Sequence, residues 1–112
     1  MKIEENTYQA IYQNSVITLS GKLSLMVSEY EKLESFFAQI LESKPTHLIL
    51  DIRNLEFLNS SGIKTVCVSL ILEASEIEGL HLKIICSDQY TWQKETIPNF
   101  QDLMDYMTIE FI

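Results

Sequence analysis

Residues 47–63 read HLILDIRNLEFLNSSGI, and this stretch decides the fold. It opens with an almost unbroken aliphatic run from His47 to Ile52, which is typical of a strand covered on both faces in the middle of a sheet. It closes with two adjacent hydroxyls, Ser60 and Ser61, just before a run of helical spacing. The stretch therefore predicts a buried strand, a turn and a helix in succession.

The segment after this turn, from Ile63 to Leu72, is rich in β-branched residues, which suit a strand as well as a helix. Its apolar residues recur at i, i+3, i+4, i+7, i+8 and i+11, and a strand could not keep such a stripe on one side. The stripe consists of Ile63, Val66, Cys67, Leu70, Ile71 and Ala74. The spacing therefore favours a helix.

The residues before this stretch predict a hairpin with a loose N-terminal tip. Two short β-rich runs, Tyr8–Tyr12 and Ser15–Lys22, flank Gln13 and Asn14 and suit two antiparallel strands. Gly21 is expected to end or bulge the second strand.

A first helix is predicted between the hairpin and residue 45. Ser28 and Glu31 have the spacing of a capping box, and Pro45 forbids continuation of the helix. The apolar face between them consists of Tyr30, Leu33, Phe37, Ile40 and Leu41.

The C-terminal third predicts one strand, a short helix and a last strand. The strand covers Leu80–Cys86, and a polar segment around Trp92 follows it. Pro98 opens the short helix, and Thr108–Ile112 is extended.

The order β-β-α-β-α-β-α-β predicts an α/β fold with a mixed sheet of about five strands. Right-handed crossovers join its parallel strands, and so few helices are expected mainly on one face. A chain of 112 residues suits one core, and we expect residues 1–112 to form a single domain.

The charge excludes two classes of partner. Sixteen Asp and Glu against eight Lys and Arg give a formal net charge of -8, the wrong sign for nucleic acid or an anionic membrane surface. No apolar run approaches the roughly 18 residues of a membrane span, and the first residues lack the apolar stretch of a signal peptide. We expect a cytoplasmic protein.

Motifs of catalysis are missing from the sequence. It has no Gly-rich phosphate loop, Cys-x-x-Cys pair or Gly-x-Ser-x-Gly elbow, and His47 and His81 fall at strand positions without ligand spacing. Cys67 and Cys86 lie in apolar runs and are expected to be buried thiols. Asp51 lacks the acidic pair with which a phosphoaspartate receiver holds Mg²⁺. We expect no enzyme, no metal and no cofactor.

Ser60 and Ser61 lie where the chain leaves the carboxyl end of a strand and enters a helix, the edge on which open α/β sheets present functional groups. The N–H groups and the dipole of a helix start favour an anion, so a phosphate on Ser60 could bind there. Both serines, like Asn59 before them, are also ordinary N-cap residues. Local chemistry leaves both roles open.

Residues 48–51 together with residues 55–63 (LEFLNSSGI) resemble the signature of the STAS family, the anti-sigma factor antagonists of bacterial partner-switching systems. The family pattern is an aliphatic strand ending in Asp, an apolar pair, and Asp-Ser-Ser/Thr-Gly-Leu at a helix start. The resemblance implies that Ser60 is the phosphoacceptor, with Ser61 as second candidate. Asn59 stands where the family usually has Asp, and it keeps the capping ability without the charge.

By the same resemblance, a serine kinase of the histidine-kinase-like ATPase type, often itself the anti-sigma factor, phosphorylates the serine. A PP2C-type phosphatase reverses the modification. Phosphorylation adds about -1.5 to -2 charges at a surface that a partner must cover, with Asp51 and Glu56 near in sequence, so we expect a local electrostatic switch. If neither serine is used, the protein is a constitutive binding partner.

The partner-binding surface is predicted on the flank of the second helix. Val68 and Leu72 lie an i+4 step apart outside the apolar stripe, and Lys64 and Thr65 extend this flank toward the acceptor. The predicted set is Asn59, Gly62, Lys64, Thr65, Val68 and Leu72. The alternative is that neighbouring helices cover these side chains.

A second candidate function is a small-ligand sensor of STAS type. Trp92 and Tyr90 could line a pocket, although aromatic residues in a connecting segment also cap the edge of a core. A cavity beside Trp92 with converging polar groups would favour the sensor.

Overall fold

The computed structural model describes all residues from 1 to 112, and they form a six-stranded sheet whose spatial order follows the chain, β1-β2-β3-β4-β5-β6. The first three strands pair antiparallel, and β3 to β6 pair in parallel. The strands are β1 Lys2–Glu4, β2 Tyr8–Gln13, β3 Val16–Leu23, β4 His47–Leu58, β5 His81–Cys86 and β6 Met107–Phe111.

The helices lie in three of the connections. A 3-10 helix, Val27–Tyr30, leads directly into α1, Glu31–Glu42. The second helical run consists of α2 Ser60–Thr65, a π-helical segment Val66–Leu72 and α3 Glu73–Ser75. The third consists of α4 Thr91–Thr96 and a 3-10 helix Ile97–Leu103. None of the helices has both the length and the apolar composition needed to cross a membrane.

One face of the sheet carries the core. Leu48, Leu50 and Ile52 of β4 are buried, whereas Ile49 and Asp51 between them are only half-buried. The expectation that this strand is covered on both faces is therefore wrong. The helices lie mainly on one face, as predicted, and the aliphatic side chain of Ile49 is flanked on the open face by its neighbours in register, Val16 and Lys83.

The predicted hairpin forms, with its turn shifted by one residue to Asn14 and Ser15, both of which have positive φ. Gly21 lies in β3 with φ +90, next to a shift in register between β3 and β4. A Cβ on Gly21 would collide with the carbonyl oxygen of Thr7. The expectation that Gly21 ends or bulges its own strand is wrong, because β3 continues to Leu23 and the extra residue at this shift lies in β4, between Leu55 and Phe57.

Two predictions near the N-terminus are wrong. The segment expected to be a loose tip forms β1, because Ile3 buries its side chain in the core and the backbone pairs with β2. The first helical turn is capped two residues earlier than predicted, since Glu29, not Glu31, accepts a hydrogen bond from the Met26 N–H at 2.9 Å. The 3-10 turn before α1 accounts for this shift.

The segment around Trp92, predicted as a polar connection, is helical. Gln93 on α4 is fully buried, and its side-chain amide donates to the carbonyls of Ile52 and Leu55 at 2.7 and 3.0 Å. These carbonyls lie at the two places where the register between β3 and β4 shifts. Gln93 therefore supplies hydrogen bonds that the irregular part of the sheet does not provide.

The cysteines contribute to the core as expected, although to different extents. Cys86 is fully buried, and burial together with the charge of Asp51 raises the pKa of its thiol to about 12. Cys67 is only half-buried, and burial raises its pKa as well. Both thiols stay protonated at neutral pH, which suits residues that fill space.

Candidate functional site

A single residue separates the central strand from the second helical run. Strand β4 continues to Leu58, further than the predicted end near Ile52, and α2 begins at Ser60. Asn59 between them has extended backbone geometry, as an N-cap residue requires. Ser60 is exposed and Ser61 is half-buried. The structure thus places both serines at the helix start, at the carboxyl end of β4.

The side chain of Asn59 points inward and joins three segments of the chain. Its Oδ1 accepts from the Gly62 N–H at 2.9 Å and from the Tyr30 hydroxyl at 2.6 Å. Its Nδ2 donates to the carbonyl of Leu25 at 2.9 Å. Burial raises the pKa of Tyr30, so this phenol remains a donor throughout the physiological range. Asn59 therefore ties the start of α2 to the loop and the 3-10 turn before α1.

This geometry gives a physical reason for asparagine at a position where the resembled family has aspartate. The Nδ2 group donates to Leu25, and a carboxylate has no hydrogen to donate there. Tyr30 and Gly62 supply donors that either side chain could accept. The amide thus adds one contact and removes one charge beside Ser60.

Gly62 is buried in the first turn of α2, next to the side chains of Leu58 and Tyr30. A Cβ at this position would collide with Cδ1 of Leu58 and lie 2.6 Å from the Tyr30 hydroxyl oxygen. Glycine is required here because the side chains of Leu58 and Tyr30 occupy the space that a Cβ would need.

Both serines line an open groove of about 360 Å³, which we call the serine groove. Its other lining residues are Val27, Glu34, Lys64, Thr65, Val68 and Ser69. The groove therefore combines hydroxyls with two apolar side chains, one lysine and one glutamate.

Asp51 does not belong to the charges around the serine groove. Its carboxylate forms a bidentate pair with Arg53 on the open face of the sheet, with Oδ2 2.8 Å from Nη2. Burial raises the pKa of Asp51, but the hydrogen bonds from Arg53 outweigh burial and leave the pKa below its usual value. The charged side chains that line the serine groove are those of Lys64 and Glu34.

The structure divides the predicted partner-binding residues into two groups. Lys64, Val68 and Leu72 are exposed, the last two by 45% and 39%, so neighbouring helices do not cover this flank. Gly62 and Thr65 are buried, and the Thr65 hydroxyl donates to the carbonyl of Ser61 at 2.9 Å. Together with Asn59, these two residues stabilise the start of α2 through buried contacts and hydrogen bonds.

Sequence reasoning missed Met26 and Val27, whose side chains are exposed by 73% and 75%. Val27 lines the serine groove opposite the second helical run. The signal in the sequence was an apolar triplet, residues 25–27, between two serines. Val27 therefore adds an exposed apolar side chain to the groove that contains Ser60, and Met26 precedes it in the chain.

The indole of Trp92 and the neighbouring amide of Gln93 form hydrogen bonds to backbone carbonyls of β4. The indole N–H of Trp92 donates to the carbonyl of Leu55 at 3.2 Å, and its ring packs against the core. Five grooves on the surface are lined by other residues. Trp92 thus covers an edge of the core, which is the role expected if it does not line a ligand pocket.

No protein-family model matches this sequence, and no curated protein matches it. Among solved structures, the chain is similar to the crystal structure of an anti-sigma factor antagonist from Mycobacterium paratuberculosis. The TM-score is 0.60, the identity 17%, and the similarity covers 91% of this chain and 84% of the other. The chain therefore shares the fold of that anti-sigma factor antagonist, which agrees with the fold that the resemblance to the STAS family implied.

Proposed function

We propose that this chain is a non-enzymatic protein-interaction switch of the anti-sigma factor antagonist type, controlled by reversible phosphorylation of Ser60. One observation carries the proposal: Ser60 is exposed in the same groove as the partly or largely exposed apolar side chains of Val68 and Val27. A hydroxyl in such a place is open to a kinase and lies where a docking protein must cover it. The shared fold supports the same role.

The phosphate acts locally in this proposal. It adds about -1.5 to -2 charges to a groove that holds one lysine and one glutamate between apolar walls. A partner that covers the groove would have to desolvate this charge, which opposes docking. Asn59 already caps α2, so the helix start needs no rearrangement.

Two proteins act on the serine in the proposed cycle. A serine kinase with a histidine-kinase-like ATPase fold is both the modifying enzyme and the anti-sigma partner, and a PP2C-type phosphatase removes the phosphate. Lys64, Val68 and Leu72 contact the partner. Asn59, Gly62 and Thr65 hold Ser60 in position at the start of α2. The setting is the bacterial cytoplasm, with residues 1–112 as one domain.

Incubation with such a kinase and ATP is expected to add one phosphoryl group to the intact chain, on the peptide that contains Ser60. The Ser60→Ala variant is expected to stay unmodified, and Ser61→Ala to be modified like the wild type, because Ser60 is exposed and Ser61 is half-buried. Intact-mass and peptide mass spectrometry measure both. Modification of Ser60→Ala would move the assignment to Ser61, and a chain that is never modified would be a constitutive binder.

Ser60→Glu is expected to weaken binding of the anti-sigma partner by at least about tenfold, because it places a charge where the partner must cover the groove. Gln9→Glu is a matched control, since it adds the same charge to an exposed residue on the open face of the sheet. Isothermal titration of both variants measures the difference. Equal affinities for the two variants would contradict the proposal.

A further inference from the structure

A second groove lies between α1 and the second helical run, and we call it the acidic groove. It has a volume of about 660 Å³. Its apolar lining consists of Ala38, Leu41, Val68 and Ile77, and its carboxylates are Glu34, Glu42, Glu73 and Glu76. Ser35 and Ser69 complete it, and no lysine or arginine lines it.

The four carboxylates are exposed and free of ion pairs. The salt bridges of the chain are Lys2–Glu4, Lys32–Glu5, Arg53–Asp51 and Lys83–Glu110, none of which involves the acidic groove. Two of the four carboxylates stand on α1, and the others follow the π-helical segment across the groove. Like charges around one apolar trough form a negative potential, and no ion pair neutralises any of these carboxylates.

The charge decides what kind of partner fits. A second copy of this chain that docks through the same face would bring the same carboxylates, and any other face belongs to a chain with a net charge of -8. Nucleotides and anionic lipids also carry the wrong sign. A cationic segment with one apolar face satisfies both features, since its apolar side chains fill the trough and its lysines or arginines reach the carboxylates. An amphipathic helix presents these two kinds of residue on opposite faces.

We infer that the acidic groove docks a lysine- or arginine-rich amphipathic helix of the partner protein. The inference rests on the proposed function in one respect, that the partner docking here also covers Ser60. The acidic and serine grooves share Glu34, Val68 and Ser69, so one protein can occupy both.

A synthetic amphipathic helix of leucine and lysine, about 14 residues long, serves as the probe. Added to the full chain labelled with ¹⁵N, it is expected to shift the amide signals of α1 and of the π-helical segment. Its dissociation constant is expected to rise at least about fivefold between about 0.1 M and 0.5 M NaCl, because salt screens the attraction. A peptide with glutamate in place of lysine is expected not to bind.

The Glu73→Gln/Glu76→Gln variant is expected to bind the lysine peptide about tenfold more weakly. The matched control is Asp88→Asn/Glu95→Gln, which removes the same two charges from exposed residues outside the groove. The control is expected to keep the wild-type affinity to within about twofold. Thermal unfolding of both variants verifies that they are folded.

Three results would overturn the inference: equal peptide affinities for the two variants, signal shifts centred outside the acidic groove, or self-association of the chain through this face in sedimentation experiments. The peptide assay needs no modified serine. If the peptide binds as expected but no kinase modifies Ser60, only the proposed function is refuted. A partner regulated by Ser60 that binds Glu73→Gln/Glu76→Gln normally would refute only this inference.

Discussion

Replacement of Gln93 by leucine is expected to lower the free energy of unfolding by about 2–4 kcal/mol, because the Ile52 carbonyl and the Ser87 N–H lose their only side-chain partner. The Gln93 amide donates to Ile52 and Leu55, and its Oε1 accepts from the Ser87 N–H at 2.8 Å. Leu55 keeps the hydrogen bond from Trp92, so the loss falls on the other two groups. Leucine has nearly the same volume and cannot replace either bond.

Urea denaturation followed by circular dichroism measures this loss. Gln101→Leu is the matched control, since Gln101 is exposed and makes one hydrogen bond, to the carbonyl of Met107 at 2.8 Å. The control is expected to change stability by less than about 1 kcal/mol. Similar losses in the two variants would show that the buried hydrogen bonds of Gln93 do not hold the sheet together.

Gly62→Ala is expected to destabilise the fold by about 1–3 kcal/mol, although the same change at an exposed helical site stabilises by about 0.5–1 kcal/mol. The reason is the collision of the new Cβ with Leu58 and its close approach to the Tyr30 hydroxyl. Gly62→Val is expected to cost more, because its added methyl groups enter the same contact.

Chemical denaturation of the two Gly62 variants tests the sign of the effect. Gly79→Ala is a contrasting variant that tests backbone strain without a collision, since Gly79 has φ +82 and open space where its Cβ would lie, whereas Gly62 has no positive φ. The Gly62→Ala/Leu58→Ala double variant is expected to lose less stability than the sum of the single variants, because the shortened side chain no longer meets the new methyl. A stabilising Gly62→Ala would show that the contact relaxes without cost.

The position of the candidate site was predictable from the sequence, whereas the orientation of its side chains was not. An aliphatic strand, a pair of serines and a helical stripe follow one another along the chain, so their order is local information. That Asn59 points inward to Tyr30 and Leu25 depends on segments 29 and 34 residues away in sequence. Pattern reasoning has no access to such contacts.

The difference between local patterns and distant contacts also explains the wrong predictions about the fold. Strand β1 has only three residues, too few for a periodic pattern, and it forms because β2 offers it an edge. Helix α4 was predicted as a connection because its sequence is polar. Its buried residue is a glutamine, Gln93, which binds carbonyls of the distorted β4, and a polar residue gives no apolar periodicity from which a helix could be predicted. The π-helical segment likewise gives no signal beyond helical spacing.

The sequence by itself determined the class of fold, the order of the main strands and helices, the acidic charge and the place of the two serines, because periodicity, turn residues and charge act over a few neighbouring residues. Only the tertiary structure decided which face of the sheet stays open, which side chains reach the distorted strand, and which apolar residues remain exposed beside Ser60. These depend on contacts between distant segments, where packing and hydrogen-bond geometry outweigh local preference.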